Sequence, residues 1–225
     1  MKTILYAIIA VAIMTMSGMA HATEVINLHI GGSYSNIKSI VNGVQKSEGG
    51  GSIDPSFLNT RALKYLYCVD LFTPVYVNAD YPYTTVNNSA IIHGNLVENA
   101  GKVAYLLGNY GIGGQGEQAI ALQAAIWHVV NKTGVYDLDI ASYGSTSNIA
   151  TLYNKYINEA TTNSSNVSKF LWINPGKDVA GLTNYQGLVS NSPNPEPSTY
   201  VLLCLGGLFV AFRLRKSSGT SAVTV

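Results

Sequence analysis

The sequence predicts an α+β fold, and three observations lead there. Three segments with helical spacing of apolar residues, 96–107, 117–130 and 148–160, follow one another in the middle of the chain. Stretches with strand character lie on either side of this group and do not alternate with it, as the strands of a parallel α/β sheet would. Both ends have the character of processing segments, which leaves residues 23–192 of the 225 as one folding unit, long enough to bury a core.

Residues 1–22 have the order of a cleavable secretory signal: Lys2, an apolar core over 4–16, and Ala20-His21-Ala22 as the cleavage site. No cysteine follows that apolar core, so an N-terminal lipid anchor is not expected. At the other end, residues 193–216 place Pro195-Glu196-Pro197 before an apolar run, 200–212, closed by Arg213, Arg215 and Lys216; a polar tail, 217–225, follows. The run of 13 residues is shorter than the ~17–25 of an independent membrane span, and its basic end belongs in the cytoplasm. This arrangement resembles the PEP-CTERM sorting signals of Gram-negative bacteria. The resemblance implies recognition by an exosortase-type processing enzyme, cleavage near the PEP triplet, transient membrane contact through 200–212, and a final location at the cell surface or outside the cell.

Within the folding unit, Val25, Ile26, Leu28 and Ile30 predict a first strand over 24–31, ended by Gly31-Gly32. Residues 48–52, Glu-Gly-Gly-Gly-Ser, predict a flexible loop. Residues 62–77 are rich in Tyr, Leu, Val and Phe and predict a strand, with Tyr65, Tyr67, Val69 and Leu71 on one face and Leu66, Cys68 and Asp70 on the other. Asn95 is the predicted cap of the first helix, with Gly108 or Gly111 ending it. The second helix follows a glycine-rich turn and stops at 131–134; the third carries Ile149, Leu152, Tyr153, Tyr156 and Ile157. Strand character returns over 170–189, after the break at Asn174-Pro175-Gly176.

Composition excludes several classes of partner. Charged residues make up 11% of the chain, against a typical ~25%, and 15 tyrosines help to make the surface polar without making it ionic. With a net charge of +1 and no basic run outside the tail, the chain lacks an electrostatic footprint for nucleic acid. The four histidines are scattered with no ligand spacing, so neither a metal site nor a cofactor is expected.

Cysteine usage is more telling. Cys204 lies in the C-terminal apolar run, so the exported part keeps only Cys68. Exported domains normally pair their cysteines; a single one is a free thiol, an intermolecular cross-link or a group committed to other covalent chemistry. On the second helix, Ala119, Gln123, Ile126, Trp127 and Val130 share a face, so the Gln123 carboxamide lies in an apolar stripe and must find partners there.

The segments Leu66-Tyr67-Cys68-Val69-Asp70 and Leu122-Gln123-Ala124-Ala125-Ile126-Trp127 resemble the two signatures of bacterial thioester domains. In those surface modules the Cys of a Y-C-x-D segment is bonded to the Gln of a T-Q-x-A-I-W helix. The likeness extends to 102–107 and, loosely, to 184–189, and this chain has Leu122 where the family usually has Thr. The resemblance implies a single thioester-domain-like unit, a β-sandwich or barrel with a grouped helical subdomain. It also implies a Cys68–Gln123 thioester that acylates an amine or hydroxyl of a surface or matrix partner, so that the chain is a covalent adhesin and not an enzyme that turns over. Asp70, Trp127 and His128 are the supporting candidates: Asp70 for its place on the face of Cys68, Trp127 for excluding water, and His128 for proton transfer, although it sits five residues after Gln123 and off its face.

Two other readings stay open. One is a non-covalent matrix protein with a buried free Cys68. The other is a cysteine-nucleophile enzyme using His93 or His128 with an Asp, which no local motif supports. Residues 111–116 match G-x-G-x-x-G, but a helical segment precedes them where a dinucleotide site needs a strand, so they are expected to form a turn with Glu117 near the start of the next helix.

Overall fold

The computed structural model describes residues 26–176 and 185–191. The predicted signal segment and the C-terminal sorting segment lie outside the described residues. The described part is broadly α+β, with every strand pair antiparallel.

Strand β1 (Ile26–Ile30) is followed by a hairpin of β2 (Ser33–Val41) and β3 (Val44–Asp54). Asn42 and Gly43, with φ of 51° and 78°, make its two-residue turn, and Val41 pairs with Val44 across it. Positive φ at both central positions is what a hairpin connection with the right twist requires, and Asn-Gly supplies it at low cost. Residues 48–52, expected as a flexible loop, instead lie inside β3. Gly50 answers a packing demand, because a Cβ there would come within 2.8 Å of Gln123 Cγ and 2.9 Å of Trp127 Cη2.

Strands β4 (Phe57–Leu58), β5 (Arg61–Ala62), β6 (Leu66–Cys68) and β7 (Ala79–Asn87) come next, then the small pair β8 (Ile91–Ile92) and β9 (Asn95–Leu96). The strand expected over 62–77 is thus reduced to short pieces, and 69–78 runs without strand structure. The expected two-faced alternation is absent at its centre: Tyr65 through Val69 are all buried, since β6 is covered on both faces.

Helix α1 (Ala100–Tyr110) starts later than expected. Asn95 lies in β9, and the position before the helix is Asn99, left-handed at φ 54° with its side-chain amide donating to the Val129 carbonyl at 2.8 Å. Helix α2 (Glu117–Val130) has the expected bounds. Strand β10 (Tyr136–Leu138), the short α3 (Ile140–Tyr143), α4 (Asn148–Thr162), β11 (Phe170–Asn174) and β12 (Leu188–Asn191) complete the described order. The Ser147 hydroxyl caps α4 by accepting from the Ala150 N–H at 3.2 Å.

The larger sheet has the order β5-β4-β1-β7-β11-β12-β6 and the smaller one β10-β2-β3. Helices α1, α2 and α4 pack on one another, and α2 also touches β2, β3, β6 and β10. Helix α2 therefore sits at the seam between β6, the edge of the larger sheet, and β3, the edge of the smaller. This seam is where Cys68 and Gln123 meet.

Candidate functional site

Helix α2 is built for the interior. Its alanines and leucine have high helix propensity, Glu117 lies at its positive end, and the Asn131 side-chain amide donates to the Trp127 carbonyl at 2.7 Å at the other end. Ala119, Ala121, Leu122, Gln123, Ala124, Ala125, Ile126 and Trp127 are all buried, so the helix is enclosed on every side and not merely along the predicted stripe. A fully enclosed Gln has nowhere to turn for water.

Gln123 finds both of its partners on one residue. Its Oε1 accepts from the Cys68 backbone N–H at 2.9 Å, and its Nε2 donates to the Cys68 carbonyl at 2.7 Å. Cys68 is opposite Leu188 on β12, and its peptide groups face away from that strand toward the helix. The carboxamide thus occupies the place of one further strand residue on the edge of the sheet, satisfying two backbone groups that would otherwise be buried without partners. The glycine at position 50 lets β3 close over this pair. Gly50→Ala is expected to destabilise the protein by about 1–3 kcal/mol through overpacking, read as a lower midpoint in urea with an unchanged slope.

Cys68 is a buried free thiol. Burial pushes its pKa well above the ordinary thiol range, and the Asp70 carboxylate pushes it further. A thiol whose folded pKa is raised contributes stability that is fully present below its unfolded value of ~8.5 and is lost as pH rises above it. Any chains that carry Cys68 as a free thiol should lose stability between pH 8.5 and 10 faster than Cys68→Ala, by up to ~1.4 kcal/mol per pH unit. The measurement is the urea midpoint against pH for both proteins, and matching slopes would mean that Cys68 carries no thiol to titrate.

Of the supporting candidates, Asp70 lies close to the thiol. One of its oxygens accepts from the Phe72 N–H at 3.1 Å and the other is 3.7 Å from His93 Nε2. Trp127 is buried one turn after Gln123, stacked edge-on against Tyr136 with centroids 5.5 Å apart, and its indole N–H has no hydrogen-bond partner among the described residues. His128 turns elsewhere: its Nδ1 is 2.9 Å from the Tyr153 hydroxyl and 3.0 Å from Asp137. The glycine-rich turn 111–116 lies over the end of β3, where the Gln115 amide donates to the Ser52 carbonyl at 2.6 Å and its oxygen accepts from Ser35 at 2.6 Å.

A cleft of about 690 Å³ opens between the β2–β3 hairpin and residues 71–77, and Cys68 and Trp127 are among the residues lining it. Tyr34, Phe72 and Tyr76 line it as well and are exposed. Sequence reasoning did not assign this cleft, Gly50 or Gln186, whose side-chain amide donates to the Asp70 carbonyl and helps hold the segment after Cys68. Three successive glycines inside a hairpin were the available signal for a close approach at position 50.

Comparison with known proteins bears on the tail. Residues 195–216 match the PEP-CTERM protein-sorting motif, the segment holding Pro195, Glu196, Pro197, Arg213, Arg215 and Lys216. The chain is therefore an exported protein, processed by exosortase and anchored to the cell surface. No curated protein and no solved structure matches the chain.

Proposed function

We propose that the folded part is a thioester domain, in which Cys68 and Gln123 condense and the resulting thioester acylates a nucleophile on a surface or matrix partner. The observation that carries this reading is the Gln123 carboxamide held at 2.9 and 2.7 Å by the two backbone groups of Cys68, with the same cysteine lining an open cleft.

This geometry suits the reaction. The Cys68 N–H donates to Gln123 Oε1, the atom that becomes the oxyanion when sulfur adds to the carboxamide carbon. The Cys68 carbonyl orients Nε2, the leaving nitrogen. Sulfur adds, the C–N bond breaks, and the thiol proton leaves with the nitrogen as ammonia; the Asp70 carboxylate is the nearby group suited to carry it. An amide is a poor electrophile, and a thiol of raised pKa a reluctant nucleophile, so the rate depends on holding the two together, where effective molarity reaches ~10⁵–10⁸ M. In the second step an amine or hydroxyl attacks the same carbon, the C–S bond breaks and Cys68 regains its proton. No step restores the thioester, so each chain reacts once, as a covalent adhesin or matrix attachment and not as an enzyme.

A second reading is a non-covalent matrix protein in which Gln123 only bridges the helix to the sheet edge. It is favoured by the pairing of both ends of the carboxamide with backbone groups of Cys68. The intact mass of the exported chain before and after methylamine separates the two, since the thioester lacks one ammonia and takes up the amine at Gln123.

A further inference from the structure

Resting on that thioester, we infer that the cleft presents it to a hydroxyl of a neutral carbohydrate strand, so that the covalent product is an ester and not an isopeptide. The first support is the rim. Tyr34, Phe72 and Tyr76 are 46%, 61% and 58% exposed and line the same cleft as Cys68. Clustered exposed rings mark a binding groove, and the flat C–H faces of sugar rings pack on such rings without requiring charge.

The lining gives the second support. Between the rings it offers the uncharged polar groups of Asn36, Ser47 and Thr73, suited to sugar hydroxyls. Its charged side chains are Lys46 and Glu48, one of each sign on β3. They set up no net field to draw in a lysine ammonium, whereas a site for cations lines its walls with one sign of charge.

The third support lies at the inner end. Trp127 lines the cleft, is 1% exposed, and its indole N–H is without a hydrogen-bond partner among the described residues. That group only donates, so any partner that reaches it from the cleft must bring an acceptor. An ammonium has none, and a neutral amine has one lone pair, which it needs for attack. A hydroxyl oxygen has two, one to accept from Trp127 and one to attack. In the reaction the hydroxyl oxygen bonds to the Gln123 carbonyl carbon, the C–S bond breaks, and the hydroxyl proton ends on the Cys68 sulfur.

The test uses the full exported chain, incubated in parallel with maltohexaose, cellohexaose, a lysine-containing peptide and methylamine, followed by intact mass and peptide mapping. A hexaose adduct at Gln123 that hydroxylamine releases, at least about tenfold more abundant than the peptide adduct, is the expected result. In a Tyr34→Ala/Phe72→Ala double variant, the ratio of hexaose adduct to methylamine adduct should fall about tenfold. Preferential capture of the lysine peptide, absence of a hexaose adduct, or an unchanged ratio in the double variant would overturn the inference while methylamine uptake still upholds the thioester. No methylamine uptake at all would remove the thioester, and the inference with it.

Discussion

The exported chain is expected to be one ammonia lighter than its amino-acid composition requires, with the deficit located in a linked pair of peptides containing Cys68 and Gln123. Methylamine should then restore mass at Gln123 and expose a thiol at Cys68 that alkylates once the protein is unfolded. The expectation is close to all-or-none. The two backbone hydrogen bonds hold the carboxamide against the residue that bears the proposed nucleophile, and the burial of both residues would keep water from a thioester formed there. Cys68→Ala should have the full calculated mass and no methylamine uptake, while retaining its fold, because the Gln123 hydrogen bonds go to backbone atoms that alanine also has. Full mass in the wild-type chain, with Cys68 alkylatable after unfolding and no methylamine incorporated, would favour the non-covalent matrix protein.

Gln123→Ala should behave differently from Cys68→Ala. The family resemblance alone treats the two residues as equivalent halves of one bond, so that removing either should spare the fold. Their positions break that equivalence. Removing the carboxamide leaves the N–H and C=O of Cys68 buried without partners, at roughly 1–3 kcal/mol each, and opens a cavity beside Gly50 and Trp127. A loss of about 2–6 kcal/mol is expected, a large part of the stability of a domain this size, read as the urea midpoint of Gln123→Ala against Cys68→Ala. Equal midpoints for the two variants would mean that the carboxamide does not bridge helix and sheet in solution.

The helical part of the fold was legible because α2 and α4 carry their own signals: alanine-rich periodicity with a glycine turn before it, and the helical spacing of Ile149, Leu152, Tyr153, Tyr156 and Ile157. The first helix misled at its start, since Asn95 is a good cap residue but is committed to the β8–β9 pair. The β2–β3 hairpin was hidden by its glycines. Gly49, Gly50 and Gly51 read locally as flexibility, and only the approach of Gln123 and Trp127, 73 and 77 residues further along the chain, shows why no side chain fits at Gly50. Asn42-Gly43 was the local clue. Of the site, the placement of Gln123 beside Cys68 matches what the motif resemblance implies, through hydrogen bonds to the Cys68 backbone. The cleft was not, because its walls come from segments far apart in sequence and its rings have no periodic pattern.

Strand β12 lies between β11 and β6, and the chain that follows it leads to the surface anchor. In the proposed adduct, with a partner joined at Gln123 and the cell joined at the tail, tension would enter the covalent chain at residue 123 and leave at its C-terminal end. Everything before residue 123, including the hairpin and Cys68 itself, lies outside the pulled segment. Resistance to tearing then falls to β10, α4, β11 and β12, above all to the ladders tying β10 to β2, β11 to β7 and β12 to β6. The sheet edge that positions the thiol is thus also the mooring of the loaded strand.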